Sequence, residues 1–215
     1  KKMIQNKQDL AFYIVADRIM NGYPAKCSLL SKIKETKVIG GGKTIIMNYL
    51  SHLRRYAYYY NAHKRTFSWN SVMMAYEHYK VAKLGIKCGF SIGHNSIGYG
   101  VVIPHYGTIV VNDNARIGNF AVLHTCTCIA GGNKVIGEGL YLSTGSQIVG
   151  SLKLGDGVTV AAHSLVNKSF DNNILLAGAP CVVKNGNYSV WYVRDGEEYI
   201  NRVELVNQVR KEIYK

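Results

Sequence analysis

Between residues 91 and 180 the chain places four histidines, His94, His105, His124 and His163. An imidazole ionises near neutrality, so a single one in a cleft can take a proton from a hydroxyl and give it back, whereas three gathered together can hold zinc. The four show no metal-ligand spacing, and no metal site is expected. His105 stands two residues after Ile103 and two before Gly107; His94 reads as a structural residue of an irregular turn, and His163 as a solvated or subunit-contact residue of another. His52, His63 and His78 belong to helices and carry no motif. Cys126 and Cys128 have one residue between them, fewer than zinc sites use, and read as small structural residues. With Cys27, Cys88 and Cys181 the thiols are odd in number and scattered, the pattern of reduced cysteines in a cytoplasmic protein.

Positioning these residues falls to a repeat. Ile136, Leu142, Ile148, Leu154, Val160 and Val166 are spaced six apart without a miss. Neither the helical period of 3.6 nor strand alternation produces that spacing; a hexapeptide-repeat parallel β-helix does. Upstream, Ile97, Ile103 and Ile109 keep the period, as do Ile117, Leu123 and Ile129, with slips over 110–116 and 130–135. Each hexad is a short strand and a tight turn, and stacked turns bury an apolar column that one turn could not bury alone. Gly98, Gly118, Gly137, Gly155 and Ala161 follow the aliphatics, where a turn needs φ > 0 or close backbone approach. The phase sets His105 at a turn, and the slips are expected to be loops framing a cleft.

Three segments result: an α-helical region over 1–90, the β-helix over 91–185 and a helical tail over 186–215. Helices are expected from Asp9 to Met20, stopped by Asn21-Gly22; from Thr44 to Tyr60; and from Ser68 to Leu84, stopped by Gly85. In the third, Trp69, Val72, Met73, Tyr76 and Tyr79 form one stripe. Gly40-Gly41-Gly42 is a turn, since no apolar strand precedes it as a phosphate loop requires. The tail resumes helical spacing from Glu197 to Tyr214.

The net charge of +13 is unevenly spread. Residues 1–90 hold sixteen Lys and Arg against four Asp and Glu, while residues 91–180 hold four of each. Around Arg54-Arg55-Tyr56-Ala57-Tyr58-Tyr59-Tyr60 this reads as a solvated face beside a tyrosine packing seam, with contact to an anionic membrane surface as the alternative; nucleic acid is not expected. No apolar run reaches the ~18 residues of a membrane span, and no secretory leader opens the chain.

Three stretches resemble the serine acetyltransferase family: Ile103-Pro104-His105-Tyr106-Gly107-Thr108-Ile109-Val110-Val111, then Ala115-Arg116-Ile117-Gly118 with Leu123-His124-Thr125, and Leu176-Ala177-Gly178-Ala179-Pro180-Cys181-Val182-Val183-Lys184. Leu10-Ala11-Phe12-Tyr13-Ile14-Val15-Ala16-Asp17-Arg18 looks like the start of its shorter members, which are associated with surface polysaccharides. The resemblance implies a left-handed β-helix, a homotrimer and O-acetyl transfer from acetyl-CoA as co-substrate. It places His105 as general base and His124 beside the cleft. It assigns acetyl-CoA contacts to Ser143, Thr144, Gly145, Ala161, Ala162, Lys168, Ala177, Gly178 and Pro180, with Lys168 near the nucleotide end.

The chain departs from the family in two places. Serine-using members carry an aspartate directly before the catalytic histidine and a longer histidine-bearing loop after the next Gly-Gly; here Pro104 precedes His105, and Gly131-Gly132 runs straight on to Ile136. A saccharide hydroxyl is therefore the expected acceptor, with serine, as in cysteine biosynthesis, the alternative. Two other classes stay open, a zinc-dependent carbonic anhydrase on the same β-helix and a non-catalytic scaffold.

Overall fold

The computed structural model describes residues 3–25, 42–62 and 68–215. Cys27, His63 and Gly40-Gly41 lie outside the described residues. Among these residues three helices, α1 (Lys7–Met20), α2 (Gly42–Ala62) and α3 (Trp69–Cys88), precede thirteen short strands, and α4 (Trp191–Arg194) and α5 (Glu197–Ile213) follow them.

The strands wind into a three-sided parallel β-helix. Face A stacks β1 (Phe90–Ile92), β2 (Ile109–Val111), β5 (Thr127–Ala130), β8 (Gln147–Val149) and β11 (Leu165–Val166). Face B stacks β3 (Ala115–Ile117), β6 (Lys134–Ile136) and β9 (Leu152–Leu154). Face C stacks β4 (Val122–Leu123), β7 (Tyr141–Leu142), β10 (Thr159–Val160) and β12 (Leu175–Gly178), and closes with β13 (Cys181–Asn185), antiparallel to β12. The twelve hexad aliphatics from Ile97 to Val166 point inward, none more than 4% exposed. Burying each is worth about 1.5–3 kcal/mol, so the period is the core itself.

Gly98, Gly118, Gly137 and Gly155 stack on face B for close approach, and none needs a left-handed backbone. A Cβ on Gly118 would lie 2.6 Å from the carbonyl carbon of Gly137 in the coil below. The left-handed residues form other columns, one at the corner between faces B and C, through Gly100, Phe120, Gly139, Gly157 and Asn173.

The first coil has no coil before it to take its outward-pointing backbone groups, and a buried ion pair supplies the partners. Arg54 of α2 donates to both carboxylate oxygens of Asp17 of α1, at 2.8 and 3.2 Å, and to the carbonyls of Ile97 and Gly98, at 2.7 and 2.6 Å. Asp17 Oδ1 also accepts from the N–H groups of Gly100 and Val101, at 2.8 and 3.1 Å. Asn21 extends the cap by donating to the Val101 carbonyl at 2.7 Å. Ile46, Tyr49, Leu50 and Leu53 of α2 join the column's apolar core, while α1, α4 and α5 pack on the outside of face C around Phe12, Tyr99, Phe120 and Trp191.

Helix ends follow the local sequence with one exception. Asn6 caps α1 by accepting from the Asp9 N–H at 2.7 Å, and Gly22, at φ +81°, turns the chain away after Asn21. α3 runs past Gly85 to Cys88 and stops at the left-handed Gly89. Gly85 is buried inside the helix, where a Cβ would meet the Phe90 carbonyl oxygen at 2.7 Å. The stripe of α3 faces solvent, with Trp69, Val72, Tyr76 and Tyr79 exposed. The short helix α4 was not expected at all.

Candidate active site

The corner between faces C and A gathers most of the residues singled out above. Continuing the face C register (Leu123 opposite Leu142, Leu142 opposite Val160, Val160 opposite Leu176) puts His124, Ser143, Ala161 and Ala177 in one column. One step further on, Thr125, Thr144, Ala162 and Gly178 form the next, with His105 above Thr125. Backbone bonds tie the corner together: His124 N–H donates to Leu142, Ser143 N–H to Val160, and His163 N–H to the Thr144 carbonyl at 3.0 Å. Gly145 is left-handed at φ +73°, and the His163 ring lies directly over it, so that a Cβ would come within 2.5 Å of Nδ1. His163 thus belongs to this edge and covers one of the proposed acetyl-CoA positions; Pro180 follows Gly178 at its lower end.

Lys168 is not brought to this edge. It follows β11 and so stands one corner further round, between faces A and B, with its ammonium 5.5 Å from the Phe170 ring. The slips also fall at that corner, Asn112–Asn114 between β2 and β3 and Gly131–Asn133 between β5 and β6. Within one chain neither loop frames the His105 edge. His94 is at the same distant corner, packed between Tyr56 and Tyr60. Cys126 lies in a turn and Cys128 in β5, both as free thiols.

His105 is exposed at the mouth of a cleft of about 350 Å³. The cleft's other walls are the end of α1 (Met20, Asn21), the start of α2 (Lys43, Ile46, Met47) and the first turns of α5 (Glu198, Tyr199, Arg202). Arg202 donates to the Met20 carbonyl at 3.0 Å and pairs with Glu198, which pins α5 across the cleft. Among the described residues no carboxylate hydrogen-bonds His105. Lys43 and Arg202 line the cleft as cations, Glu198 is held by Arg202, and the Asn21 amide is already bonded to the Asp17 and Val101 carbonyls and to the Ile103 N–H.

His124 is half-buried, and its Nε2 lies 2.9 Å from the Tyr141 hydroxyl. Burial, and secondarily the neighbouring His105, hold its pKa below the ordinary imidazole value. Tyr141 is pushed up by burial, so the phenol stays protonated and can donate to Nε2. The Arg194 guanidinium of α4 lies 5.0 Å from the Tyr141 ring centre and 4.9 Å from that of Tyr188, and donates to Thr159 Oγ1 at 3.1 Å. Tyr141 and Arg194 escaped sequence reasoning; the aromatic at the outward position of β7 was the only signal for them.

Tyr141→Phe is expected to let the His124 ring protonate at higher pH, seen in its imidazole NMR titration, and to cost about 0.5–1.5 kcal/mol of unfolding free energy. Because the folded value lies below the unfolded ~6.5, the unfolded chain binds this proton first. The fold therefore loses stability as pH drops below ~6.5 towards the lowered folded value, and Tyr141→Phe should narrow that window.

No family model matches the chain. Serine acetyltransferase 2 of Arabidopsis thaliana is 35% identical over 91 residues, covering 39% of this chain and 28% of that protein. The serine acetyltransferase of Buchnera aphidicola (subsp. Acyrthosiphon pisum, strain APS) is 27% identical over 95 residues, covering 40% of this chain and 35% of its own. The chain thus spans well under two thirds of these curated relatives. Among solved structures, serine acetyltransferase from Brucella abortus strain S19 superposes with a TM-score of 0.56 at 18% identity, over 84% of this chain and 69% of that one. That likeness shows the fold: a left-handed parallel β-helix with helices before and after it, serine acetyltransferase-like in architecture.

Proposed function

We propose that the protein is an acetyl-CoA-dependent O-acetyltransferase of the serine acetyltransferase type, acting on a small hydroxylated acceptor, and that the acceptor is serine. The observation that carries this is His105, exposed at the mouth of a polar cleft and at the head of a corner lined with the small residues Ser143, Gly145, Ala161, Ala162, Ala177 and Gly178. Small side chains along one edge admit a long thin arm such as pantetheine, and the cleft holds the acceptor on the other side of the imidazole.

The chemistry follows from that order. His105 takes the acceptor's hydroxyl proton as the oxygen attacks the thioester carbonyl. The tetrahedral intermediate collapses with cleavage of the C–S bond, and the imidazolium returns the proton to the departing thiolate. Backbone N–H groups at the corner are suited to the oxyanion. A homotrimer, with the edge of one subunit against the next, agrees with this reading and would complete the site.

The acceptor assignment rests on two supports. The relatives are named for serine, and the cleft beside His105 presents both signs of charge, Lys43 and the Glu198–Arg202 pair, to a molecule that carries a carboxylate and an ammonium. Pro104 in place of a carboxylate before His105, and Gly131-Gly132 running straight on to Ile136 without the longer histidine-bearing loop, are the observations that favour a saccharide hydroxyl. Thiol release from acetyl-CoA, measured against serine, other hydroxy amino acids and a set of sugars and sugar nucleotides, decides between them. Selective turnover with serine is the expected result; turnover with saccharides alone would reverse the assignment, and none with any acceptor would remove the enzymatic reading.

A further inference from the structure

We propose that the α2–α3 hairpin carries a docking surface for an anionic lipid bilayer, independent of the acyl-transfer reading. Trp69, Val72, Tyr76, Tyr79 and Ile86 lie on the solvent side of α3 at steps of three, four, three and seven, so they share one stripe. Their exposure is large, 73% for Trp69, 58% for Tyr79 and 85% for Ile86. Lys80, Lys83 and Lys87 fall on the same arc, and the ammonium groups of Lys80 and Lys83 lie 5.4 and 5.8 Å from the rings of Tyr76 and Tyr79.

A second feature opens beside the stripe. The same three lysines line a groove of about 280 Å³ between α3 and α2, together with Asn48 and His52. Leu84 completes its lining, so the lysine stems wall the hollow while their ammonium groups are within reach of phosphates at its mouth. Glu77, the sole acid in α3, is 3% exposed and bonded to His52 Nδ1 at 2.6 Å, so one carboxylate stands against Lys80, Lys83 and Lys87 and the face keeps an excess of positive charge.

Charge selects the occupant. A second copy seated symmetrically on this face would bring the same lysines together. Anionic headgroups complement them, and Trp and Tyr are the side chains that settle at the level of lipid headgroups. No helix among the described residues is long and apolar enough to cross a membrane, so the contact is interfacial.

Vesicle co-sedimentation of the full chain tests this, using phosphatidylcholine alone and phosphatidylcholine mixed with phosphatidylglycerol. Binding is expected only to the mixed vesicles and should weaken with salt. Each lysine near an anionic surface contributes about fivefold in partitioning, so the triple variant Lys80→Glu, Lys83→Glu, Lys87→Glu should lose about a hundredfold or more. Trp69 gives a second readout: Trp191 is 1% exposed, so a blue shift on adding vesicles reports Trp69, and Trp69→Phe should abolish it. Equal binding to both vesicle types, or full binding by the triple variant, would overturn the proposal. So would an identical shift with inorganic phosphate alone, or self-association in light scattering that disappears in the triple variant while vesicles have no effect.

Discussion

His105→Ala is expected to lower acetyl-CoA-dependent thiol release by about 10²–10⁴-fold, the usual contribution of a positioned general base. The loss should fall on kcat, because the imidazole acts as the hydroxyl proton leaves, while the cleft and the small-residue corner that hold the two substrates stay in place. The ring is exposed, so the substitution should move the unfolding free energy by no more than about 0.5 kcal/mol. A stable variant with undiminished turnover would sink the mechanism. A variant that lost activity together with its fold would fail the stability half of the expectation. His124→Gln makes the contrast: His124 is half-buried and bonded to Tyr141, so its replacement should disturb the corner's stability as well as its rate.

The β-helix could be read from the sequence because its core imposes a rigid period. An aliphatic every sixth residue is what a three-sided coil needs, and the positions from Ile97 to Val166 were buried as their spacing required. The same phase placed His105 and Ala161 at corners, while Ser143 and Ala177 came from the family resemblance. Phase alone does not say which of three corners a residue occupies, and Lys168 shows the consequence: two residues past an inward aliphatic, like His105, yet on a different edge. The slips behaved alike, since an insertion shows that a corner bulges without showing which substrate edge it faces.

Helix patterning had the complementary weakness. The stripe on α3 announced one apolar face but not whether anything packs on it, and the structure leaves it to solvent. Tyr141, Thr159 and Arg194 meet across coils and through a helix of four residues, too short to mark the sequence with a period. Arg54 was hidden in a run of arginine and tyrosine that resembles a solvated face, although its side chain is 1% exposed. Asp17, an acid among the aliphatics of α1, was the trace of that pair left in the sequence.

Arg54→Met is expected to cost about 3–5 kcal/mol of unfolding free energy, the cost of stranding a buried charge. Asp17 would keep the N–H groups of Gly100 and Val101 but lose its counter-charge, with the carboxylate and the guanidinium each 1% exposed in the parent. Many buried ion pairs can be exchanged for apolar residues at little cost. This one differs, because the pair also terminates the β-helix. Removing both partners, as in Asp17→Leu with Arg54→Met, leaves the Ile97 and Gly98 carbonyls and the Gly100 and Val101 N–H groups unbonded, each at about 1–3 kcal/mol. The double variant should therefore stay at least as unstable as Arg54→Met. Chemical denaturation of both variants and the parent, at one protein concentration, measures this directly. A double variant restored to parental stability would mean that the pair is an ordinary salt bridge and that the first coil needs no cap.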